Sequence, residues 1–468
     1  MNLNLNPKMI QGLTVKEAEM LQALVRTLTA YSAKNAIKDR YYEGAIPLRE
    51  VNLGIALPDE LRKLEVGCTW GSKTVDVLAA RSIFDGFVGL NGEDLTELDA
   101  LVKANHLVSE YKKTCKDELK LGCSFATLSK DPKIGCKIRF HSAQTASALW
   151  DGDKGRIKCG LAIIDTAPTN DASKTWSPSL LNMYTNDAVI VLSRAGSRWT
   201  AERYPHKMGR PLMEPLVWGA TSAKPFGRSR IKDPIRRLIQ GYVRTIANAS
   251  IGLEFATSPQ KYLLGVTDEQ YDALINDKFR QYVGSIIAST VNPETGEKPS
   301  FGQLSQGTIQ PHAEMLRMLS AQFSAATGLT VSDTGVVSDA NPTSSDAILA
   351  QSQTLVGMAE ELNAGNGDAL VTIAQMALAI IHNVSLDELT EEQRAIVAHF
   401  RNPSMPSIAM TADAAVKIAS VRTSFAQTDV FLEMLGFSQA DIRRVRAQEQ
   451  KARGLAVLEE LSLDDIAE

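Results

Sequence analysis

Apolar residues recur at helical spacing near the start of the chain: Leu13, Val15, Met20, Leu21, Leu24, Val25 and Leu28 predict one long helix over 13–43. After a loop with Gly44, Pro47 and Gly54, helical periodicity returns over 58–83, with breaks expected at Gly67 and Gly71, and again over 94–121. From Gly122 to about Pro215 the period changes. Short alternating runs at 136–140, 157–164, 180–184, 188–193 and 199–204 predict strands, and Asp131-Pro132, Asp151-Gly152, Gly155 and Ala195-Gly196 mark the turns. Helical spacing resumes at Pro234 and lasts to about Gly252, a rod of roughly 28 Å at ~1.5 Å per residue.

A small α+β insertion is predicted over 253–305, with a strand at 261–266. Next come a helix over 310–327 stopped by Gly328, and a Ser/Asp/Gly-rich loop over 329–341. A further long helix should run to about Ile381, kinked or broken at Gly365-Asn366-Gly367. Residues 385–456 read as helical, interrupted at Gly436. The expected fold class is α+β: mostly helical and elongated, with one antiparallel β region and a small α+β insertion.

Composition narrows the class. The chain has 468 residues, 44% of them hydrophobic and 22% charged, with a net charge of −4. That describes a folded protein whose surface as a whole does not attract polyanions. Five cysteines without CxxC spacing predict free thiols in a reducing compartment. The longest apolar run, 374–381, is far short of a ~20-residue membrane span. The first 30 residues are amphipathic and do not resemble an export signal.

Against this acidic whole, residues 224–260 hold seven Lys/Arg and two acids. Lys224, Arg228, Arg230 and Lys232 lead into a helix that opens with Asp233 as N-cap candidate and Pro234, and which adds Arg236, Arg237 and Arg244. Such a local rod of charge points to a specific polyanion or acidic partner. With few aromatics interleaved, duplex phosphates suit it better than stacked single-stranded bases.

Catalytic motifs are missing. Gly71-Ser72-Lys73-Thr74 lacks the glycine before lysine that a phosphate loop requires. Asp165 after the apolar 161–164 run has no phosphate loop to serve. His106, His141, His206, His312, His382 and His399 are scattered without metal-ligand spacing. No catalytic, cofactor-binding or metal-binding residues are expected, and no cofactor.

Several segments, taken in order, carry a resemblance: Tyr41-Tyr42-Glu43-Gly44, then 53–58 (LGIALP), 225–231 (PFGRSRI), 259–265 (PQKYLLG), 341–348 (NPTSSDAI) and 435–438 (LGFS). The chain resembles the portal proteins of tailed bacteriophages, specifically the family typified by the portal of Bacillus phage SPP1. The resemblance covers nearly the whole chain. It implies a non-enzymatic ring, usually of twelve copies, at one capsid vertex in the virion, assembled in the host cytoplasm. Double-stranded DNA would pass through the channel without sequence-specific contact. The implied partners are further copies of the chain, the major capsid protein and scaffold, the terminase large subunit and a head-completion adaptor, with no membrane.

By position, the resemblance implies a wing over 1–225, a first stem helix within 226–252, a clip over 253–305 and a second stem helix within 306–328. A tunnel loop follows over 329–341, then a wing helix over 342–384 and a short crown with C-terminal helices over 385–468. The DNA-proximal loop residues would be Ser332, Asp333, Thr334, Val336, Ser338, Asp339 and Asn341. Arg228, Arg230, Lys232, Arg236, Arg237 and Arg244 would supply the basic stem contacts. Lys261, Tyr262, Tyr271, Phe279 and Lys298 would lie on the docking clip. Two other classes stay open: a connector or adaptor ring, which is usually much smaller, and a nucleic-acid motor subunit, which would need the missing phosphate loop.

Overall fold

The computed structural model describes residues 5–46, 66–89, 95–168, 176–196, 198–257, 261–264, 296, 300–303, 308–336, 345–404 and 408–464. It is an α+β fold with antiparallel sheets. The chain divides into two compact units: one built from residues 1–42, 72–232 and 342–468, the other from 43–71 and 233–341.

In the first unit, helix α1 (Val15–Glu43) opens with a reciprocal cap. Glu17 Oε2 accepts from the Thr14 backbone N–H at 2.8 Å, and Thr14 Oγ1 accepts from the Glu17 N–H. Its buried residues Leu21, Leu24, Val25 and Leu28 recur every three or four positions. They form one core with Cys159, Leu161, Ile163, Leu181, Met183, Ile190 and Leu192 of a five-stranded sheet.

That sheet is a meander of β4 (Ala146–Asp151), β5 (Arg156–Pro168), β6 (Trp176–Tyr184), β7 (Ala188–Ala195) and β8 (Arg198–Pro205). A second sheet has β2 (Cys123–Asp131) between β3 (Gly135–Ser142) and β9 (Met213–Val217). Strands therefore form where the sequence alternates, as expected.

Helix α7 (Ser345–His382) packs on β2, β3 and β9. Its stretch Ala350–His382 is long and apolar enough on average to cross a membrane, although no uninterrupted apolar run is; 56% of its most apolar window is buried inside the protein.

Four expectations fail here. The glycines at 365 and 367 do not break α7. Gly costs about 1 kcal/mol in a helix, whereas burial of Leu362, Leu370 and Ile373 is worth about 1.5–3 kcal/mol per side chain. The helix expected over 94–121 is two, α3 (Thr96–Ala104) and α4 (Leu107–Leu121), separated at Asn105-His106, where His106 adopts φ 51°. Gly71 lies inside helix α2 (Trp70–Ala79) and does not break it. Finally, strand β1 (Phe84–Gly89) pairs antiparallel with β12 (Ile396–Phe400), so the C-terminal region is not helical throughout.

In the second unit, α5 (Asp233–Thr257) packs on α6 (Gln310–Thr327), and β10 (Lys261–Leu264) pairs antiparallel with β11 (Ser300–Gln303). Helix α5 passes through Gly252, so its 25 residues give a rod of about 37 Å. The second helix ends at Gly328 with φ 73°, as the sequence predicts.

Candidate functional site: a basic segment and a helix pair

The basic segment begins with a tight turn. Gly227 has φ +61°, and a Cβ there would meet the Trp218 carbonyl oxygen at 2.1 Å, so no other residue fits. Beyond it the cations part company. Arg228 and Lys232 are exposed and make no ion pair among the described residues. Arg230 is only 7% exposed: its Nε donates to the Thr74 carbonyl at 2.7 Å, and its guanidinium lies 5.6 Å from the Trp218 ring. Burial pulls its pKa down to about 10. Arg230 is therefore an internal brace, not the surface contact the sequence suggested. A hydrophobic stem and five donors let arginine fill such a site. Because Thr74 is itself buried within α2, 71–74 form no phosphate-binding loop.

On α5, Ile235, Ile239, Val243 and Ala247 are buried at every fourth position, as are Leu319, Phe323 and Thr327 on α6, and the two helices pack together. A Cβ on Gly241 would lie 3.3 Å from Leu319 Cδ2, which records how closely the helices approach. Arg236 pairs with Asp233 in the first turn, Arg237 is exposed and Arg244 half-buried. Asp233, beside the Arg236 guanidinium that bonds it, is held below the usual carboxylate range.

Trp70 completes this unit, although nothing in the sequence marked it. Its ring centroid lies 4.5 Å from Tyr242 on α5 and 4.5 Å from Phe323 on α6, and its Nε1 donates to the Thr334 carbonyl at 3.0 Å. One indole thus binds both helices and the turn that follows α6. Its large apolar body and single donor suit that position.

The turn itself, Ser332–Thr334, corrects a further expectation. The sequence suggests a loop without large side chains to fasten it to a core. Instead Leu329 is 3% and Thr334 7% exposed, and the hydroxyls of Ser320 and Thr334 lie 2.5 Å apart. Asp333 Oδ2 accepts from the Thr330 N–H and hydroxyl. Thr334 is therefore unavailable to a passing ligand and Asp333 is engaged locally, while Ser332 is exposed and Val336 half-buried. Small polar residues anchored this stretch through hydrogen bonds, which a search for large apolar anchors overlooks.

Of the remaining candidates, Lys261 and Tyr262 occupy β10, in register with Gln303 and Gly302. Tyr271, Phe279, Lys298, Ser338, Asp339 and Asn341 lie outside the described residues. Among the described residues no three His, Cys, Asp or Glu side chains form a group that could hold a metal. The five cysteines are free and buried, and burial pushes the Cys68 and Cys159 thiols up to about 11. Together these residues give a packed helix pair, an anchored turn and exposed cations.

No protein-family model matches the chain. Two relatives are portal proteins of bacteriophages. It is 23% identical over 431 residues to the portal protein of Mycobacterium phage D29, covering 89% of this chain and 86% of the relative. It is also 23% identical over 454 residues to the portal protein of Mycobacterium phage L5, covering 93% and 90%. Among solved structures, a chain in the virion of a native gene transfer agent particle is similar with a TM-score of 0.48 and 12% identity, covering 86% of this chain and 93% of that one. A chain in the neck of that native particle, computed with C12 symmetry, gives 0.44 and 11%, covering 80% and 89%.

Proposed function

We propose that this protein is a phage portal protein, the subunit of a homo-oligomeric connector ring at a capsid vertex. The observation that carries the reading is near end-to-end similarity to two portal proteins, over about nine tenths of each chain. Membership of the SPP1-type branch rests on the sequence segments alone, since the relatives infect mycobacteria.

In this reading twelve copies close a ring, and α5 and α6 from each copy build the channel wall as the two stem helices. Residues 1–225 and 342–384 are the wing, 253–305 the clip, 329–341 the tunnel loop and 385–468 the crown. The protein is structural, without catalytic activity. It conducts double-stranded DNA during packaging and ejection, and binds the major capsid protein and scaffold, the terminase large subunit and a head-completion adaptor. It assembles in the host cytoplasm and ends in the virion.

The exposed Arg228, Lys232 and Arg237 favour subunit or shell contacts on the outer side, because rings of repeated arginines facing phosphate would act as a brake on sliding DNA. Ser332 is the DNA-proximal candidate within the described part of the loop, with Ser338, Asp339 and Asn341 beyond it. Lys261, Tyr262, Tyr271, Phe279 and Lys298 supply docking contacts on the clip.

Native mass measurement with electron microscopy of the purified full-length protein tests the proposal. A ring of about twelve subunits with an axial opening and no ATPase activity is expected. A monomer or small oligomer that hydrolyses ATP would overturn it.

A further inference from the structure

Glu118 projects from α4 into the core of the first unit with 0% exposure, and Asn366, also 0% exposed, meets it from α7. Asn366 Nδ2 donates to Glu118 Oε2 at 2.8 Å and to the Tyr111 hydroxyl at 3.0 Å. Two oxygens of this same pair, Glu118 Oε1 and Asn366 Oδ1, are buried without a hydrogen-bond partner. If the carboxyl group were ionised, both would be acceptors and neither could satisfy the other. A single proton on Oε1 changes that, since it supplies a donor that the vacant amide acceptor can take. We infer that Glu118 is held as a neutral carboxylic acid in a reciprocal acid–amide pair with Asn366, Nδ2–H to Oε2 and Oε1–H to Oδ1, and that this pair is a proton-dependent latch between α4 and α7.

The surroundings favour the neutral form. From α4 itself come Tyr111 and Cys115, from β2 Cys123, from the segment before β1 Ser82, and from α7 Asn363 as well as Asn366. Ser82 Oγ lies 2.7 Å from the Tyr111 hydroxyl and donates to Asn363 Oδ1 at 2.6 Å, so the neighbouring polar atoms are occupied with one another. Among the described residues no cation compensates Glu118: Lys116 acts on Cys115 and Lys38 on Cys123, but neither acts on the carboxyl. Burial pushes Glu118 up to about 8, against the smaller opposing effect of the Asn366 hydrogen bond. Being raised in the folded state, the group stabilises the fold fully below its ordinary value of 4.5. That contribution is lost as pH rises toward and through about 8. The pair also gives Asn366 a reason to sit between two glycines in an unbroken helix.

Glu118→Gln in the full-length protein provides the test. Glutamine keeps the reciprocal pair with no titrating proton: its Nε2–H donates to Asn366 Oδ1, and its Oε1 accepts from Nδ2. Hydrogen–deuterium exchange of α4 and α7, corrected for the intrinsic pH dependence, should show wild-type protection falling as pH rises above 4.5 and levelling off near pH 8, while E118Q stays flat over the same range. Infrared spectra should show a protonated-carboxyl component in wild type that titrates near pH 8 and is lost in E118Q, leaving only the Glu214 component that titrates near 7. Coincident pH profiles, or a band unchanged in E118Q, would overturn the latch. Should E118Q fail to fold, Glu214→Gln removes the other raised carboxyl, pushed by burial to about 7. A protonated-carboxyl band must then persist in E214Q, and its absence is equally fatal.

Discussion

Removing Trp70 should release two helices and a turn together. Trp70→Ala deletes a side chain 1% exposed, and emptying an aromatic site of this kind costs about 3–5 kcal/mol. Trp70→Phe isolates part of that cost. The ring stack is worth about 0.5–1.5 kcal/mol per aromatic pair and is largely retained, whereas the Nε1–H to the Thr334 carbonyl is lost. A buried carbonyl deprived of its donor costs about 1–3 kcal/mol, so W70F should fall near the lower end of the Ala cost or beneath it.

The position of the loss is as informative as its size. In W70F, amide exchange should accelerate in 329–336 and little in 235–247, because only the turn has lost a partner. In W70A both segments should accelerate. Denaturant unfolding supplies the energies and peptide-resolved exchange supplies the map. The reasoning is refuted if W70A lies within about 1 kcal/mol of wild type, or if its faster exchange spares 329–336. Either result would mean that the turn is held by the Ser320–Thr334 contact and α6 alone.

Other outcomes follow from the same geometry. Arg230→Ala should destabilise the fold by about 1–3 kcal/mol through the lost charged-donor hydrogen bond to Thr74 and the emptied space of a buried side chain, whereas Arg237→Ala should shift unfolding by no more than about 0.5 kcal/mol; equal effects in denaturant melts would count against the internal brace. Gly241→Val forces atoms into Leu319 and should cost about 1–3 kcal/mol, with Gly241→Ala nearer wild type; thermal unfolding ranks the pair. His141, whose Nε2 lies 3.0 Å from Thr127 Oγ1, is pushed by burial to about 4 from an ordinary 6.5. Lowered in the fold, it costs stability as pH falls from 6.5 toward 4, up to about 3 kcal/mol. His141→Gln should flatten that part of the pH–stability curve, and an unchanged slope would reject the assignment.

Much of the architecture was legible because burial imposes periodicity. Leu21, Leu24, Val25 and Leu28 announce α1, and Gly328 announces the end of α6. The meander was legible from alternation and from Asp-Gly and Ala-Gly turns. What escaped depends on partners distant in sequence. Phe84–Gly89 falls between two expected helices with no element assigned to it until Ile396–Phe400 arrives beside it, and no local signal pairs the two. Asn366 reads as a breaker until Glu118 and Tyr111 are seen to occupy its amide. Arg230 reads as one more surface cation because sequence reports its charge and not the carbonyl it bonds. The candidate site was legible in the same measure: the helix pair and basic rod were marked, while Trp70, which ties the two helices to the turn, stood alone between Thr69 and Gly71 without a motif.

The pairing of β1 with β12 also bears on how the chain is made. Phe84 waits for Phe400, more than 300 residues later, and at roughly 5–20 residues per second that delay lasts tens of seconds on the ribosome. Throughout it, two phenylalanines destined for near-complete burial, Phe84 and Phe87, are attached to an N-terminal segment that cannot yet close. A nascent chain with such a lag invites chaperones, and it postpones closure of this pair of strands until residue 400 has been made.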